Sequence, residues 1–589
     1  MSIRSVIRNI NRYRASHISE RNFLLVSSII VGVSVGLVAV ALKKIVHAIQ
    51  FWLRELFRGH DWQYLYYLLP LIGILITVFY VQKIRKGKIG RGISGIIQSI
   101  SKRHGNIPPD NMYSHMVTSA VTVGFGGSVG LEAPIVITGS AVGSNIARIF
   151  LLSQKERVVL LACGAAAGIA AVFNTPVAGV LFAMEVLLAE FSIPTFIPIL
   201  IASASGAVIS RLLYNEHLFY LLTKEWQIDA IPFYLLLGGL CGLVSVYFMR
   251  VYFWTEKKFA ASSAILPKAI AGGLTLGLLI FFFPVLYGEG YSTVSALFNA
   301  DTSKLLDNTF YGEWVTNPYV LLLVVIAIVL FKVVASAITI NAGGNGGIFA
   351  PTLFTGAVTG FGFAHFFNTT GWKELLTVNF VAAGMAGIIS GVVHAPLTAI
   401  FLIGEITGGY NLMVPLMIVS SVSFAISKRF EPYSFDIKNL ADKGEVFTDN
   451  RDTNILNSID VSKLIQTDFK AISLSNSLEE LVQKIQESDE HIFPVLDEKN
   501  KLLGLIHLDE IRPIVFSQFK VKYTSVEEIM QQPKEIIFYD ETLETIMDKF
   551  DASECKVLPV LKNGIFLGFM YKQLILEKYR HRLKSMIIE

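Results

Sequence analysis

The segment Gly126-Gly-Ser-Val-Gly-Leu-Glu-Ala-Pro134 recurs later in the chain as Gly343-Gly-Asn-Gly-Gly-Ile-Phe-Ala-Pro351, at an offset of 217 residues (343 − 126). A second pair of segments follows in the same order. Asn174-Thr-Pro-Val-Ala-Gly-Val-Leu-Phe-Ala-Met-Glu185 matches His394-Ala-Pro-Leu-Thr-Ala-Ile-Phe-Leu-Ile-Gly-Glu405, at an offset of 220 residues (394 − 174). Two matches at nearly the same offset indicate a duplicated structural unit. These residues leave open whether the two copies run parallel or inverted.

The repeats lie in an apolar region that extends from residue 23 to residue 430. The 589 residues are 53% hydrophobic and 16% charged, whereas soluble domains average about 25% charged residues. Apolar runs such as 23–42, 65–81 and 320–334 have lengths that cross or nearly cross a bilayer. Glycine and proline interrupt other runs, and broken backbone at membrane depth is tolerated where it is buried in protein or lines a wet cavity. We expect a multi-pass helical membrane domain over 23–430.

Both ends of the chain are predicted to lie in the cytoplasm of a cell with this protein in its plasma (inner) membrane. The N-terminal segment 1–22 is rich in arginine, and positive residues that flank a first span usually stay in the cytoplasm. From Glu431 onward the chain is charged, so we predict a linker over 431–458 and a soluble tail after it. Two cytoplasmic ends require an even number of crossings.

The soluble tail is itself a duplication. Phe493-Pro-Val495 and Leu503–Ile506 match Leu558-Pro-Val560 and Leu567–Met570. Each copy is predicted to run strand, helix, strand, turn, strand, helix, with the first helices over 477–488 and 543–552. The tail is therefore an α/β unit present twice, over 459–520 and 521–589.

Glu132 is the strongest candidate for a functional side chain. It is the one formally charged residue between Asp110 and Arg148 when His115 is counted as neutral. Carboxylates within a membrane are costly and usually functional. Glycines precede Glu132 and Pro134 follows it, a pattern that predicts the start of a helix. The alternative is that Glu132 only caps its helix, although a serine would do so at lower cost.

The second copy, Gly347-Ile-Phe-Ala-Pro351, has the same pattern without the carboxylate. A helix N-terminus offers free N–H groups and the positive end of a dipole, which together bind anions. A glycine-rich membrane segment alone more often reflects close helix packing. Because the whole pattern is duplicated, we expect two helix starts to converge on one anion, with Gly130, Leu131, Gly347, Ile348 and Phe349 as binding residues.

Other classes of function have little support. Cys163, Cys241 and Cys555 lie far apart and form no ligand cluster, so no metal site or disulfide is predicted. We find no nucleophile–base pair, so an enzyme is not expected. The net charge of +4 is too small to indicate nucleic acid as a partner.

With these residues in place, the chain resembles the CLC family of chloride channels and proton/chloride exchangers over nearly its whole length. The resemblance implies an inverted-repeat membrane domain, a homodimer with one pore per subunit, and a C-terminal pair of CBS domains. Glu132 falls on the gating glutamate of the family. Ile348 and Phe349 fall on the backbone amides that bind the central anion.

The first family motif, often GSGIP, departs here and reads Gly90-Arg91-Gly92-Ile93-Ser94. Arg91 replaces the serine that contacts the central anion, and Ser94 replaces a proline linked to anion preference. Arg91 either adds a positive charge to the pathway or belongs to the basic stretch that flanks the membrane.

Two further departures concern proton coupling and the inner gate. Exchangers of the family carry a relay glutamate at the position of Val186, where channel members carry valine. Glu185 is the nearest carboxylate, and a structural role is expected for it. The family's pore tyrosine aligns best with Asp436, and Tyr433 lies close by, so both are inner-gate candidates.

The CBS pair carries little of the family's nucleotide-binding pattern. Glu510, six residues after Gly504, is the one position where a ribose ligand is plausible, so an adenine nucleotide is a weak expectation. A structural or dimer-stabilising tail is the alternative. No other cofactor is expected.

From these residues we predict a channel for chloride or another small anion that conducts passively and is gated by protonation of Glu132. A proton-coupled anion exchanger is the alternative within the family. A membrane-embedded sensor that acts through the CBS tail is an alternative of another class.

Overall fold

The protein is described by a computed structural model. It describes residues 17–57, 63–87, 92–188, 193–214, 224–299, 301–307, 309–312, 315, 317–442, 456, 459–486, 488, 490–515, 521 and 524–586. The chain divides into two compact units, Met1–Lys443 and Gly444–Glu589.

The regular elements of the first unit are helices, in the residues that the structure describes. Its α-helices are α1 (Glu20–Phe57), α2 (Leu69–Phe79), α3 (Ser94–Lys102), α4 (Asn111–Gly124), α5 (Glu132–Ile149), α6 (Gln154–Phe173), α7 (Pro176–Phe182), α8 (Ile193–Leu213), α9 (Ile231–Ala260), α10 (Ile265–Phe282), α11 (Tyr291–Phe298), α12 (Ser303–Leu306), α13 (Pro318–Asn341), α14 (Phe349–Thr370), α15 (Thr377–Val393), α16 (Pro396–Ile406), α17 (Met413–Phe430) and α18 (Phe435–Ala441). Within the described ranges, eight helical segments are long and apolar enough to cross a membrane. The multi-pass prediction is therefore confirmed.

Two helices start where the repeated motifs predict. Helix α5 begins at Glu132 and helix α14 begins at Phe349. Each start follows a glycine with positive φ, Gly126 at 90° and Gly343 at 114°, a conformation that glycine adopts without the steric penalty of a side chain. These turns bring the backbone of each motif back toward the centre of the unit, so both helix starts lie inside the protein.

The two copies are related by a local two-fold axis. Gly130 and Gly347, equivalent residues of the repeat, form an isolated antiparallel bridge. A second reciprocal pair supports the same axis. Thr122 Oγ1 accepts from the Asn345 amide at 3.0 Å, and Thr339 Oγ1 accepts from the Ser128 amide at 3.3 Å. An antiparallel exchange between equivalent residues is the arrangement expected of inverted repeats.

Close helix packing surrounds this axis. A Cβ on Gly139 would lie 2.2 Å from the carbonyl oxygen of Gly164, so helices α5 and α6 touch backbone to backbone. In the second copy, a Cβ on Gly356 would lie 2.5 Å from the carbonyl oxygen of Gly384, between helices α14 and α15. Small residues permit this approach in membrane proteins, where packing rather than the hydrophobic effect holds helices together.

The first unit ends later than the predicted domain boundary at residue 430. Helix α18 packs within this unit, and the Phe435 ring lies 4.5 Å from that of Tyr252. The Ser94 hydroxyl donates to the backbone oxygen of Asp436 at 2.6 Å. The start of the predicted linker 431–458 therefore belongs to the helical unit, and most of its remainder lies outside the described residues.

The second unit has two small sheets. Its strands are β1 (Ile465–Gln466), β2 (Ile472–Ser473), β3 (Ile492–Leu496), β4 (Leu502–His507), β5 (Ile537–Phe538), β6 (Val557–Lys562) and β7 (Ile565–Tyr571), and its α-helices are α19 (Leu478–Gln486), α20 (Leu508–Val515), α21 (Val526–Ile529), α22 (Leu543–Ser553) and α23 (Lys572–Met586). The sheet orders are β2-β3-β4 and β1-β7-β6-β5. In both sheets a parallel pair is followed by an antiparallel hairpin, as the duplicated pattern predicts.

The copies of the tail also exchange backbone pairs. Gln466, near the start of the first copy (459–520), pairs with Phe569 in the second. Gln531, near the start of the second copy (521–589), bridges to Leu505 in the first, with hydrogen bonds of 2.8 and 2.9 Å. Each copy thus contributes a short backbone segment that pairs with the other copy.

Candidate anion pathway

Glu132 lies at the first residue of helix α5 and is 1% exposed. The Tyr291 hydroxyl donates to its Oε1. The backbone amides of Glu132 itself and of Ala350, in the first turn of helix α14, face the same carboxylate. The starts of helices α5 and α14 therefore converge on one negative charge, as the duplicated motif predicts.

Gly130 provides the space that the carboxylate occupies. A Cβ on Gly130 would lie 1.9 Å from Glu132 Oε2 and 2.7 Å from the Cβ of Ala350. A side chain at this position and the observed carboxylate position exclude each other. The glycine is therefore needed for the position of Glu132.

A short loop positions Tyr291. Gly290 precedes it with a φ of 86°, and a Cβ there would lie 2.4 Å from the ring of Phe354. Lys332, completely buried in helix α13, donates from Nζ to the carbonyl of Gly288 at 2.9 Å and to that of Leu286 at 3.4 Å. Because Lys332 binds two carbonyl groups of the loop, the loop is held in place and the Tyr291 hydroxyl stays next to Glu132.

A cavity with an empty volume of about 780 Å³ reaches Glu132 from one direction. Gly347, Ile348 and Phe349 line it, together with Asp436, and we call it the Asp436 cavity. Asp436 is 5% exposed. The structure thus brings Asp436 together with the predicted anion-binding residues of the second copy. Tyr433 is not among the lining residues of the described chain, and Arg91 lies outside the described residues.

A second cavity, of about 350 Å³, lies against the other side of the helix start. Lys43, Leu131, Glu289 and Tyr291 line it, and we call it the Lys43 cavity. Among the described residues, none lines both cavities. Because Tyr291 lines one cavity and hydrogen-bonds to Glu132 in the wall of the other, the Glu132 carboxylate lies between them.

Leu131 departs from the expectation that its amide is free for an anion. The Leu131 amide donates to Glu289 Oε1 at 3.2 Å. The protein's own carboxylate therefore occupies a donor that the helix start would otherwise offer to an anion.

Lys43 brings a positive charge into the wall of the same cavity. It is 7% exposed, and its Nζ donates to the carbonyls of Ala171 and Val172 at 3.0 and 2.6 Å, near the end of helix α6. It also interacts electrostatically with Glu289 and Glu132. A cation held by carbonyls beside two carboxylates makes this region less negative than the carboxylates alone would.

Glu185 has a structural position. Its Oε1 accepts from the Leu397 amide at 3.1 Å, and its Oε2 accepts from the Thr398 amide and hydroxyl, each at 2.8 Å. Glu405, the equivalent residue of the second copy, accepts from the amides of Val177 and Ala178 at 3.1 and 2.9 Å. Each glutamate therefore caps the short helix of the opposite repeat. The next residue after Glu185 is Val186, whose side chain cannot relay a proton.

Several residues of the site were missed from sequence alone: Lys43, Glu289, Tyr291 and Lys332. Lys43 directly follows the apolar run 23–42 and reads as a flanking charge, although helix α1 continues to Phe57. Both Lys332 and Glu289 are isolated charges, which could have drawn attention to them. Lys332 lies within an apolar run, and Glu289 lies between two glycines. Tyr291 carried no such signal, because its role depends on the loop that Lys332 fixes.

The other residues considered in the sequence analysis, Glu510 and the three cysteines, are not among the lining residues of either cavity. Glu510 is exposed on helix α20, directly after strand β4. Cys163, Cys241 and Cys555 are free thiols. Across the described residues, no group of three or more histidine, cysteine or carboxylate side chains is placed to hold a metal ion.

Inverted repeats, a buried carboxylate between two cavities and convergent helix starts indicate a membrane protein with a pathway for small anions. A family model for the voltage gated chloride channel matches residues 73–428, and one for the CBS domain matches residues 461–516. The chain therefore belongs to the voltage-gated chloride channel (CLC) family, whose function is anion transport, and carries a CBS tail.

Relatives of this chain are chloride channel proteins. It is 27% identical over 563 residues to chloride channel protein CLC-e of Arabidopsis thaliana, covering 84% of this chain and 76% of the relative. It is 29% identical over 322 residues to the voltage-gated ClC-type chloride channel ClcB of Escherichia coli, covering 53% of this chain and 71% of the relative. These names describe the relatives, and their similarity supports anion transport as the common function.

Solved structures of similar proteins include antiporters. A slow cyanobacterial Cl⁻/H⁺ antiporter gives a TM-score of 0.63 at 23% identity, over 72% of this chain and 98% of that one. A CLC-type fluoride/proton antiporter gives 0.58 at 25% identity, over 70% and 96%. A eukaryotic CLC transporter gives 0.63 at 17% identity, over 93% and 97%. The fold is therefore that of CLC proteins.

Proposed function

We propose that this protein is a passive channel for chloride or a similar small anion, with Glu132 as its gate. The observation that carries the proposal is the position of the Glu132 carboxylate. It lies between two cavities, at the point where the starts of helices α5 and α14 converge. A carboxylate there occupies the place that the helix dipoles offer to a permeant anion.

Protonation of Glu132 opens the pathway in this proposal. The charged carboxylate is held by the Tyr291 hydroxyl and faced by the Ala350 amide. Once protonated, it no longer competes for donors that favour negative charge, so an anion takes its place. In the Asp436 cavity, the N-terminal end of helix α14 at Ile348 and Phe349 provides the next binding position.

Valine at position 186, where exchangers of the family carry a relay glutamate, favours passive conduction over exchange. Glu185, its neighbour, has both oxygens engaged in capping Leu397 and Thr398. A relay group must take up and release protons. Protonation of Glu185 would weaken its hydrogen bonds to two backbone amides, so this residue is poorly suited to the relay role.

A proton-coupled anion exchanger is the second candidate. Two of the similar solved proteins are described as Cl⁻/H⁺ and fluoride/proton antiporters. Asp436 and Glu256 also place carboxylates in the wall of the Asp436 cavity. In an exchanger these groups would accept protons from that cavity in place of the missing relay glutamate.

Flux and proton movement measured together separate these candidates. Purified protein in liposomes is given a chloride gradient, and chloride release and internal pH are recorded at the same time, then repeated with nitrate, fluoride and bromide. The channel proposal expects anion flux without uphill proton movement. A chloride gradient that drives protons uphill would overturn it in favour of exchange. Folded protein without any anion flux would favour the sensor alternative instead.

The assembly and location belong to the same proposal. We expect a homodimer with one pathway per subunit, in the plasma (inner) membrane, with both chain ends in the cytoplasm. The duplicated CBS tail would act there as a structural or nucleotide-responsive unit, with Glu510 as the candidate ribose ligand.

A further inference from the structure

Glu289 lies at the Lys43 cavity end of the site, where neither the family motifs nor the gate at Glu132 assign a carboxylate. Its Oε1 accepts from the Leu131 amide at 3.2 Å, on the residue directly before the gate. Gly288 and Gly290 flank it, and Gly290 has a φ of 86°. The loop therefore turns at this point and directs the carboxylate to the start of helix α5.

The charged and titratable groups around Glu289 come from four helices. They are Glu132 on α5, Lys43 and His47 on α1, Lys332 on α13 and Tyr291 on α11. Both lysine ammonium groups donate to backbone carbonyls, Lys43 to Ala171 and Val172 and Lys332 to Leu286 and Gly288. The lysines are thus held in place by the backbone, and Lys43 lies in the wall of the cavity itself.

A capping role alone does not require a charged residue at this position. A neutral acceptor, such as a glutamine or serine oxygen, can accept one hydrogen bond from a helix amide without bringing a second negative charge beside Glu132. Two carboxylates at one helix start repel each other, and the repulsion is strong in a medium of low dielectric. The arrangement is therefore costly for a cap, but it suits a group that leaves when an anion arrives.

We propose that Glu289 is a second gating carboxylate, which blocks the Leu131 amide at the Lys43 cavity end of the pathway. An anion that enters from this cavity meets the Lys43 ammonium first and reaches the Leu131 amide only after Glu289 is protonated or displaced. Glu132 then controls the next step toward the Asp436 cavity. This inference rests on anion passage past Glu132, and it adds a second gate in series.

Substitution of the two carboxylates, singly and together, tests the inference in full-length protein in planar bilayers, with the pH of each side set separately. Glu289→Gln keeps an oxygen acceptor for the Leu131 amide and removes the charge. We expect it to raise chloride flux at neutral pH several-fold and to abolish the response to pH on the Lys43 cavity side. Glu132→Gln is expected to keep a shallow response to that side, which disappears in the Glu132→Gln/Glu289→Gln double variant.

The opposite results identify a purely structural role. If Glu289→Gln matches the wild type in flux and in both pH responses, while Glu289→Ala only lowers thermal stability, then Glu289 is a helix cap and the inference is wrong. If Glu289→Gln does not fold, Glu289→Asp takes its place. Its shorter side chain keeps the charge but reaches less far toward Leu131, so the second-gate inference expects raised flux and the capping role expects unchanged flux. Failure of the proposed Glu132 gate would be seen separately, because Glu132→Gln would then keep the wild-type pH response.

Discussion

Gly130 and Gly347 exchange both of their backbone hydrogen bonds, at 2.9 and 2.8 Å, across the axis that relates the two halves of the helical unit. The bridge fixes the starts of helices α5 and α14 against each other, since each glycine lies two residues before its helix. Both N-terminal ends then face one point, and Glu132 occupies it. The proposed anion site and the proposed gate therefore both depend on this pair of equivalent residues.

Loss of the Tyr291 hydroxyl should loosen the gate. A hydrogen bond to a charged group contributes roughly 1.5–3 kcal/mol, so Tyr291→Phe should raise chloride flux at neutral pH about tenfold or more. The measurement is chloride efflux from liposomes across a range of pH. Tyr319→Phe, at an exposed position, is the matched control and should leave flux unchanged. Equal flux in Tyr291→Phe and wild type would mean that this hydrogen bond does not hold the gate closed.

A methyl group on Gly130 should displace the Glu132 carboxylate. The added Cβ would lie 1.9 Å from Oε2, which no small adjustment accommodates. We expect Gly130→Ala to conduct at neutral pH nearly as well as wild type does at acidic pH. Gly239→Ala is the control, because the nearest atom to its added Cβ is 4.0 Å away. If folded Gly130→Ala keeps the wild-type pH profile, the described position of the carboxylate does not represent the closed state.

The reciprocal caps should matter for stability rather than for transport. Glu185→Ala and Glu405→Ala each leave two backbone amides without their acceptor, at a cost of roughly 1–3 kcal/mol for each unsatisfied group. Both variants should melt several degrees below wild type in detergent. Glu185→Gln and Glu405→Gln keep an acceptor and should melt closer to it. Unchanged proton movement in Glu185→Gln liposomes is also expected, and a changed value would restore Glu185 as a proton relay.

The sequence allowed the fold and half of the site to be predicted, because duplication leaves a local signal. The two matched motifs located both helix starts, and Glu132 stood out as an isolated charge. Glu289 and Tyr291 were not predicted, since a loop brings them to Glu132 from 157 or more residues further along the chain (289 − 132). Leu131 was predicted as an anion-binding residue, and the hydrogen bond of its amide to Glu289 was not foreseen because Glu289 lies on that loop.

The inner-gate candidates Asp436 and Tyr433 depended on tertiary structure that the sequence does not encode locally. Alignment left Asp436 and Tyr433 as alternatives, and the lining of the Asp436 cavity includes Asp436. Ser94, on a helix distant in sequence, donates to the Asp436 backbone oxygen, and this tertiary contact was not predicted from sequence. Arg91, by contrast, lies outside the described residues, so its role in the pathway stays a prediction.

Nucleotide binding by the tail is testable at Glu510. If the tail holds an adenine nucleotide through this carboxylate, ATP should raise the melting temperature of the full-length protein, and Glu510→Gln should lose the shift. Glu527→Gln, an exposed carboxylate on helix α21, is the control. No shift in wild type would leave the tail with a structural role.

The most direct test of the account is the pH dependence of chloride flux in wild type and Glu132→Gln, measured in the same liposomes. Glu405→Gln serves as the carboxylate control, since it keeps its capping oxygen. Wild type and control should conduct more as the pH falls, because protonation removes the charge that blocks the pathway. Glu132→Gln should conduct well at neutral pH and lose most of this dependence. A Glu132→Gln protein with the wild-type pH profile would contradict the assignment of Glu132 as the gate.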